Sequence, residues 1–299
     1  MQKLSKIVGS DKVAGYVFIA PFIIGLITFT VIPFFSSLYL AFTDYDVLTP
    51  ARWIGLANFQ RMFFEDKYFW QSFWVTFKFA LIQVPIKLLV SLGVALILSR
   101  KTRAIPIYRA AFYIPSLMGG SVAVALTWKQ LFSYNGAINK ITSYFGMEPV
   151  KWLSNPDTAL GVLISLGVWQ FGSSMLIFLA ALKNVPQSYH EAAIVDGAGP
   201  VRRFFSIVLP MITPIFFFNL VNQTIGAFQA FNSSYLITQG KPLNTTLYYG
   251  VHLYNRAFTY YEMGYCSAMA WFMLLVIAAF TALIFRSSSA WVYYESEGR

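Results

Sequence analysis

Six long stretches of predominantly apolar residues, at about 14–42, 73–98, 107–132, 159–182, 211–237 and 263–285, dominate the chain and limit what it can fold into. Each exceeds the roughly 20 residues that a helix needs to cross a hydrocarbon layer, where every backbone N–H and C=O has to be satisfied by the protein itself. Helices achieve this within one segment. The prediction is therefore an all-α membrane protein, a single transmembrane domain over 1–299 with six membrane-spanning helices. Composition agrees: 57% of the residues are hydrophobic and 11% charged, whereas about 25% are charged in an ordinary soluble domain. Pro21 and Pro33 are tolerable in a membrane helix, because neighbouring helices satisfy the freed backbone groups. The first stretch is too long for a signal peptide and no A-x-A-like site follows it, so it is expected to be retained.

The net charge of +10 raises nucleic acid as a partner, and its distribution argues against that. Six spans put both ends on one side. The ends, the 99–106 loop with Arg109, and the stretch between spans four and five carry twelve Lys and Arg, whereas the opposite loops carry seven. The richer side is expected to be cytoplasmic, which places both termini there, in a multi-pass protein of the cell membrane facing lipid headgroups. One cysteine, Cys266, and two histidines exclude a disulfide framework and a metal site within the chain. No Asp or Glu lies inside a span, although ion-coupled carriers commonly place one at membrane depth. The phosphate-cradling pattern G-x-x-x-x-G-K-[ST] is absent, since Gly240-Lys241 is followed by Pro242. No hydrolase signature assembles. No cofactor is expected in this chain; if it pumps, ATP and Mg are bound by another one. A membrane enzyme acting on lipid-linked sugar, and a passive channel or receptor, are the readings from other classes.

The longest patterned interval between spans is Leu182–Pro214. Pro186 can open a short helix, and Gly197 can close it because glycine accepts positive φ without a Cβ penalty. Ala192 and Ala193 offer a helix face with almost no side chain, Glu191 and Asp196 flank it, and Arg202 and Arg203 precede Phe204, Phe205, Ile207 and Val208. This has the make-up of a docking element. Glu191-Ala192-Ala193, Asp196-Gly197-Ala198, then Phe204, Ile207, Leu209 and Pro210 resemble the EAA loop of binding-protein-dependent ABC importer permeases. Trp53-Ile54-Gly55-Leu56, Asn58 and Phe59, after a first span ending SLYLAFTDYD, resemble the F-type subunit of the maltose and multiple-sugar class. The resemblance implies the type I ABC importer permease fold, with a cytoplasmic coupling helix at about 185–197 whose Glu191, Ala192, Ala193, Asp196 and Gly197 sit in a groove of the ATPase. It further implies a homologous G-type permease subunit, two copies of a cytoplasmic ATPase, and an extracytoplasmic solute-binding protein that delivers a sugar or oligosaccharide.

Candidate pathway residues come from the spans. Asn219, Asn222, Gln223 and Gln229 fall within an arc of about 120° on a helix, and amides both donate to and accept from sugar hydroxyls. The other role for such amides is to glue helices together. Asn232 points elsewhere. Thr76, Ala80, Gln83, Lys87 and Ser91 form a second stripe, in which Lys87 is too far from either end to snorkel easily. Lys87 is either a contact for an acidic or hydroxylated cargo, with glycerol-phosphate or an acidic saccharide as the alternative to a neutral sugar, or an ion-pair or carbonyl contact at a subunit interface. Trp169 and Gln170 could stack on and hydrogen-bond a sugar ring, or simply pack. Gly119 and Gly120 mark a thin point in span three suited to close packing.

Overall fold

The computed structural model describes residues 11–99 and 105–293. The positive charges expected at 3, 6, 100, 101 and 103, and the last residues of the tail, lie outside the described residues. The chain divides into two compact units, one comprising residues up to Asp66 with Leu253–Leu274, the other Lys67–His252 with the residues from Leu275 on.

In the first unit, α1 (Asp11–Leu26) runs through a π-helical turn, Ile27–Val31, into α2 (Ile32–Leu40). The hydrophobic stretch of this helix is wholly unburied, a surface that is stable only against lipid or another apolar face. A two-residue antiparallel ladder follows, β1 (Thr43–Asp44) with β2 (Arg52–Trp53), and a short helix, α3 (Ala57–Gln60). The Trp53–Phe59 motif acts as a clasp on the end of α2. The rings of Trp53 and Phe59 each lie 5.5 Å from that of Phe42, and the Asn58 side-chain amide donates to the carbonyls of Ala41 and Thr43, both at 2.9 Å. Gly264 N–H donates to Tyr45 O at 3.0 Å, and a Cβ there would collide with the Thr43 carbonyl.

A compact charge cluster holds this unit together. Arg256 bridges Asp66 and Glu262 at 3.2 Å each, Arg61 reaches Glu262 at 2.7 Å, and the Tyr265 hydroxyl donates to Asp66 at 2.7 Å. The Arg61 guanidinium lies 4.5 Å from the Tyr265 ring centroid, close enough for cation–π attraction. Two cations meet two anions, so little net charge is left to desolvate. Burial by itself would lower the Arg256 pKa, but the carboxylates of Asp66 and Glu262 outweigh it and raise it above its usual value.

The second unit is built around α4 (Lys67–Leu98), which packs against four other helices among the described residues. Its buried polar row, Thr76, Gln83, Lys87 and Ser91, is the stripe expected from the spacing. Thr76 Oγ1 accepts from Tyr249 N–H at 2.8 Å. Then come α5 (Ile105–Met118), α6 (Val122–Leu131), α7 (Ala137–Tyr144), α8 (Pro156–Trp169), α9 (Gly172–Asn184), α10 (Gln187–Val195), α11 (Pro200–Arg203) and α12 (Leu209–Phe228). The last two, α13 (Tyr249–Phe258) and α14 (Met263–Ser288), contribute residues to both units.

Four helices are long and apolar enough to cross a membrane, at Gly15–Leu40, Lys67–Leu98, Pro200–Phe228 and Met263–Ser288. The spans expected at 107–132 and 159–182 are instead bent pairs: α5 and α6 meet at 103°, α8 and α9 at 43°. Six crossings result when each pair is one span. Gly119 and Gly120 explain the sharper bend, because glycine costs a helix backbone entropy and Ser121 Oγ then caps a new start by accepting from Val124 N–H at 3.3 Å. The expected span to 237 stops at Phe228, and only a short π-helical turn, Ser234–Thr238, follows.

Asp66 is the most buried member of the charge cluster, with 1% of its side chain exposed. Asp66→Ala, which takes one of its two carboxylates from Arg256 and leaves the Tyr265 hydroxyl without its acceptor, is expected to cost about 1–3 kcal/mol, read as a lower unfolding midpoint of the purified chain in detergent. An unchanged midpoint would remove the cluster as a stabilising element.

Candidate functional site

A cavity of about 350 Å³ lies within the second unit, and its wall is made largely where helices stop. The α5–α6 break supplies Gly119, Gly120 and Ser121; the end of α8 supplies Gly167 and Gln170; the residues after α12 supply Gln229, Phe231, Asn232 and Ser233. Intact helix contributes Phe79, Gln83 and Lys87 from α4 and Gln223 and Gly226 from α12. The wall is therefore amide-rich, carries one cation and contains no carboxylate. Lys87 is 9% exposed, and among the described residues no carboxylate lies within ion-pairing distance of it.

The two bent pairs lock at their breaks. Gln170 Nε2 donates to Gly119 O at 3.0 Å, Ser116 Oγ donates to Gln170 O at 3.1 Å, and Ser173 N–H donates to Ser116 Oγ at 3.1 Å. Ser91 Oγ, which also donates to Lys87 O at 2.6 Å, reaches Phe171 O at 3.2 Å. The carbonyls of Gly119 and Gln170, at the two breaks, thus each find a donor on another segment, as burial requires. The approach is close: a Cβ at Gly172 would collide with Phe112 O and stand 2.8 Å from Tyr113 Cα.

Of the residues singled out from sequence, Lys87, Gln170, Gln223 and Gln229 come together on this wall, and Asn219, Asn222 and Trp169 do not. Asn219 is buried one turn away and its side chain donates to Ile215 O at 3.2 Å; Asn222 is exposed and donates to Phe218 O at 2.8 Å. Both are spent on their own helix. Trp169 packs on Trp128, with ring centroids 5.2 Å apart. Gln223 Nε2 donates to Ser174 Oγ at 2.9 Å. Asn232, expected to point away, is on the wall; that expectation assumed a helix continuing past Phe228. Phe79 and Phe231, which sequence reasoning passed over among 29 phenylalanines, supply the aromatic surface.

A second candidate surface is the α10–α11 corner. Pro186 precedes α10 with extended ψ, and Gly197 follows at φ 72°. Gly197 N–H donates to Ile194 O at 3.0 Å and Ala198 N–H to Ala193 O at 2.8 Å, the paired bonds of a Schellman cap. Glu191, Ala192 and Asp196 are exposed, whereas Ala193 is buried, so the two alanines do not share one outward face. Sequence reasoning missed that Ile194, Val195, Val201 and Phe205 are all more than half exposed around this corner. An apolar cluster on a polar turn is the available signal.

The interlock can be tested with adjacent glycines. A Cβ on Gly119 would stand 2.5 Å from Gln170 Oε1, whereas one on Gly120 meets only Asn232 Nδ2 at an ordinary 3.6 Å. Gly119→Ala is expected to displace the Gln170 amide and cost about 1–3 kcal/mol, with Gly120→Ala within about 0.5 kcal/mol of the parent. Thermal unfolding of both variants in detergent checks this, and equal midpoints would sink the interlock.

Residues 87–292 match the family described as binding-protein-dependent transport system inner membrane component. The chain is 52% identical over 298 residues to the probable ABC transporter permease protein YesP of Bacillus subtilis (strain 168), covering 99% of this chain and 96% of that protein. It is 32% identical to the sulfoquinovosyl glycerol transport system permease protein SmoG of Agrobacterium fabrum (strain C58 / ATCC 33970), over 92% of this chain and 90% of that one. Its fold is that of the crystal structure of a bacterial ABC transporter involved in the import of the acidic polysaccharide alginate, with a TM-score of 0.81 at 21% identity over 96% of this chain and 99% of that chain. Like these permeases it has no catalytic role of its own, and the ATPase of such a system is a separate chain. The chain belongs to the family of inner membrane components of binding-protein-dependent transport systems.

Proposed function

We propose that this chain is the F-type subunit of an ATP-driven importer that carries a sugar or oligosaccharide into the cytoplasm. The observation that carries the reading is the amide-rich, acid-free cavity bounded by helix interruptions. Amide side chains exchange hydrogen bonds with sugar hydroxyls one for one, and interrupted membrane helices turn their free backbone groups toward a cargo. The cargo named for the Agrobacterium relative, a sulfoquinovosyl glycerol, supports a glycosidic class. In this reading Lys87, Gln170, Gln223 and Gln229 contact the cargo.

The remaining parts follow the EAA resemblance. A homologous G-type subunit completes the passage, a solute-binding protein delivers the cargo from outside, and two copies of a cytoplasmic ATPase drive the cycle. Both termini and α10 face the cytoplasm, as the excess of Lys and Arg on that side supports. The α10–α11 corner seats in the ATPase: Glu191, Ala192 and Asp196 present the polar contact, Ile194, Val195, Val201 and Phe205 the apolar one, and buried Ala193 with Gly197 hold the helix end. Closure of the ATPase pair moves this corner and rocks the attached helices between inward and outward access.

Glu191→Arg reverses the charge on the exposed face, and Gly197→Pro removes both the φ that the cap needs and one of its two N–H donors. Each variant, expressed with its partners, is expected to lose more than nine-tenths of transporter-dependent uptake while reaching the membrane in normal amount. Parent-level uptake by either would end the coupling proposal.

A further inference from the structure

The cavity carries one feature that a neutral cargo does not require. Lys87 is buried in the middle of α4, lines the cavity, and has no carboxylate partner among the described residues. The remaining wall contributes only amides, hydroxyls, glycines and apolar groups. A cation in this setting costs free energy unless something neutralises it. The wall adds to the positive field instead of cancelling it. Gly120 and Ser121, just before α6, are both on the wall, so the positive end of that helix dipole lies at the cavity, although Ser121 N–H is bonded to Met118 O and Val124 N–H to Ser121 Oγ. Lys87 and this helix start come from different segments and make one electropositive site.

We infer that the cargo is an acidic saccharide bearing a single negative charge, a carboxylate or sulfonate on one sugar unit, and that Lys87 is the residue that selects for it. This rests on the reading of the cavity as the transport passage and adds the charge class of what passes. One cation matches one monovalent anion, leaving no net charge in a dry site, whereas a phosphate dianion leaves one negative charge over. The amides Gln83, Gln170, Gln223 and Gln229 then serve the neutral hydroxyls of the same molecule.

The test uses cells carrying the complete transporter with its binding protein, fed a pool of neutral, uronate-containing, sulfonated and phosphorylated disaccharides. Mass spectrometry identifies what enters in a transporter-dependent way. Entry of the uronate or sulfonated members is expected, with the neutral and phosphorylated members excluded at least tenfold. Lys87→Gln is expected to lower entry of the acidic member at least tenfold while raising entry of its carboxyl-reduced neutral analogue. Lys87→Arg is expected to restore most of the acidic uptake, which a merely structural role for the side chain would not produce. A neutral cargo in the parent, a phosphorylated cargo, or acidic uptake indifferent to Lys87→Gln overturns the inference and leaves the importer reading standing. Uptake of the pool that is equally strong in Gly197→Pro overturns the importer reading instead.

Discussion

Backbone groups freed inside hydrocarbon have no water to turn to, and the second unit is arranged around meeting that demand at its helix breaks. Gly119 O and Gln170 O lie at the interruptions, and each receives a side-chain donor from elsewhere, Gln170 and Ser116 respectively; Phe171 O, already the first acceptor of α9 through Met175 N–H, takes a second bond from Ser91. The breaks in α5–α6 and α8–α9 are therefore mutually dependent, since neither could exist alone without leaving a carbonyl unmet. Ser91 ties the pair to α4 through the same hydroxyl that bonds Lys87 O. Gly120, Ser121 and the residues after α12 line the cavity beside these breaks. The cavity thus lies where the helix breaks are.

The first unit solves a different problem with charge. Its chain runs from an unburied apolar helix into a loop, a short ladder and a π-helical turn, none of which has enough internal packing to fix the others. Asn58 substitutes for missing ladder by donating twice to the end of α2. Asp66, Arg61, Arg256, Glu262 and Tyr265 then join the segment before α4 to the segment around α14's start. A balanced cluster with each member doubly engaged escapes the usual penalty of a buried pair, because desolvation is shared and every ion has a hydrogen-bonded partner. It also explains why a chain with so few acids spends two of them in one place.

Span existence was legible from length and composition, because hydrocarbon thickness imposes a minimum that soluble segments rarely reach. The α10 cap was legible as well, since Pro186 and Gly197 have specific conformational roles. Span interiors were less so. The α5–α6 bend has its glycines, but the same pair suits close packing of a straight helix, and periodicity does not separate the two. The α8–α9 break has Gly167 before it and Gly172 after it, but such glycines also suit a straight packed helix; Gln170 leaves the helix because Ser116 and Gly119 are there to receive it, which is tertiary information. Asn232 was misplaced for the same reason: its direction was computed on a helix that ends at Phe228. Asn219 and Asn222 share an arc with Gln223, but a shorter amide reaches its own i−4 carbonyl and is satisfied there, whereas glutamine's extra methylene carries it outward to Ser174.

An amide wall has a consequence for energetics. Each sugar hydroxyl that moves from water to an amide exchanges one neutral hydrogen bond for another, and the net gain of such exchanges is only about 1 kcal/mol apiece. In the proposed passage these hydroxyl contacts, as distinct from the one charge at Lys87, hold a cargo loosely, and they supply no direction. In the proposed mechanism direction comes from moving the walls, and force applied at α10 would reach them only if the helix end did not absorb it by unwinding. The two cap bonds at Ala193 and Ile194 close that end, and Ala193 is buried while its neighbours Ile194 and Val195 are exposed. A capped, apolar-tipped corner and an amide-rich cavity that supplies no direction are the division of labour expected where the engine is a separate chain.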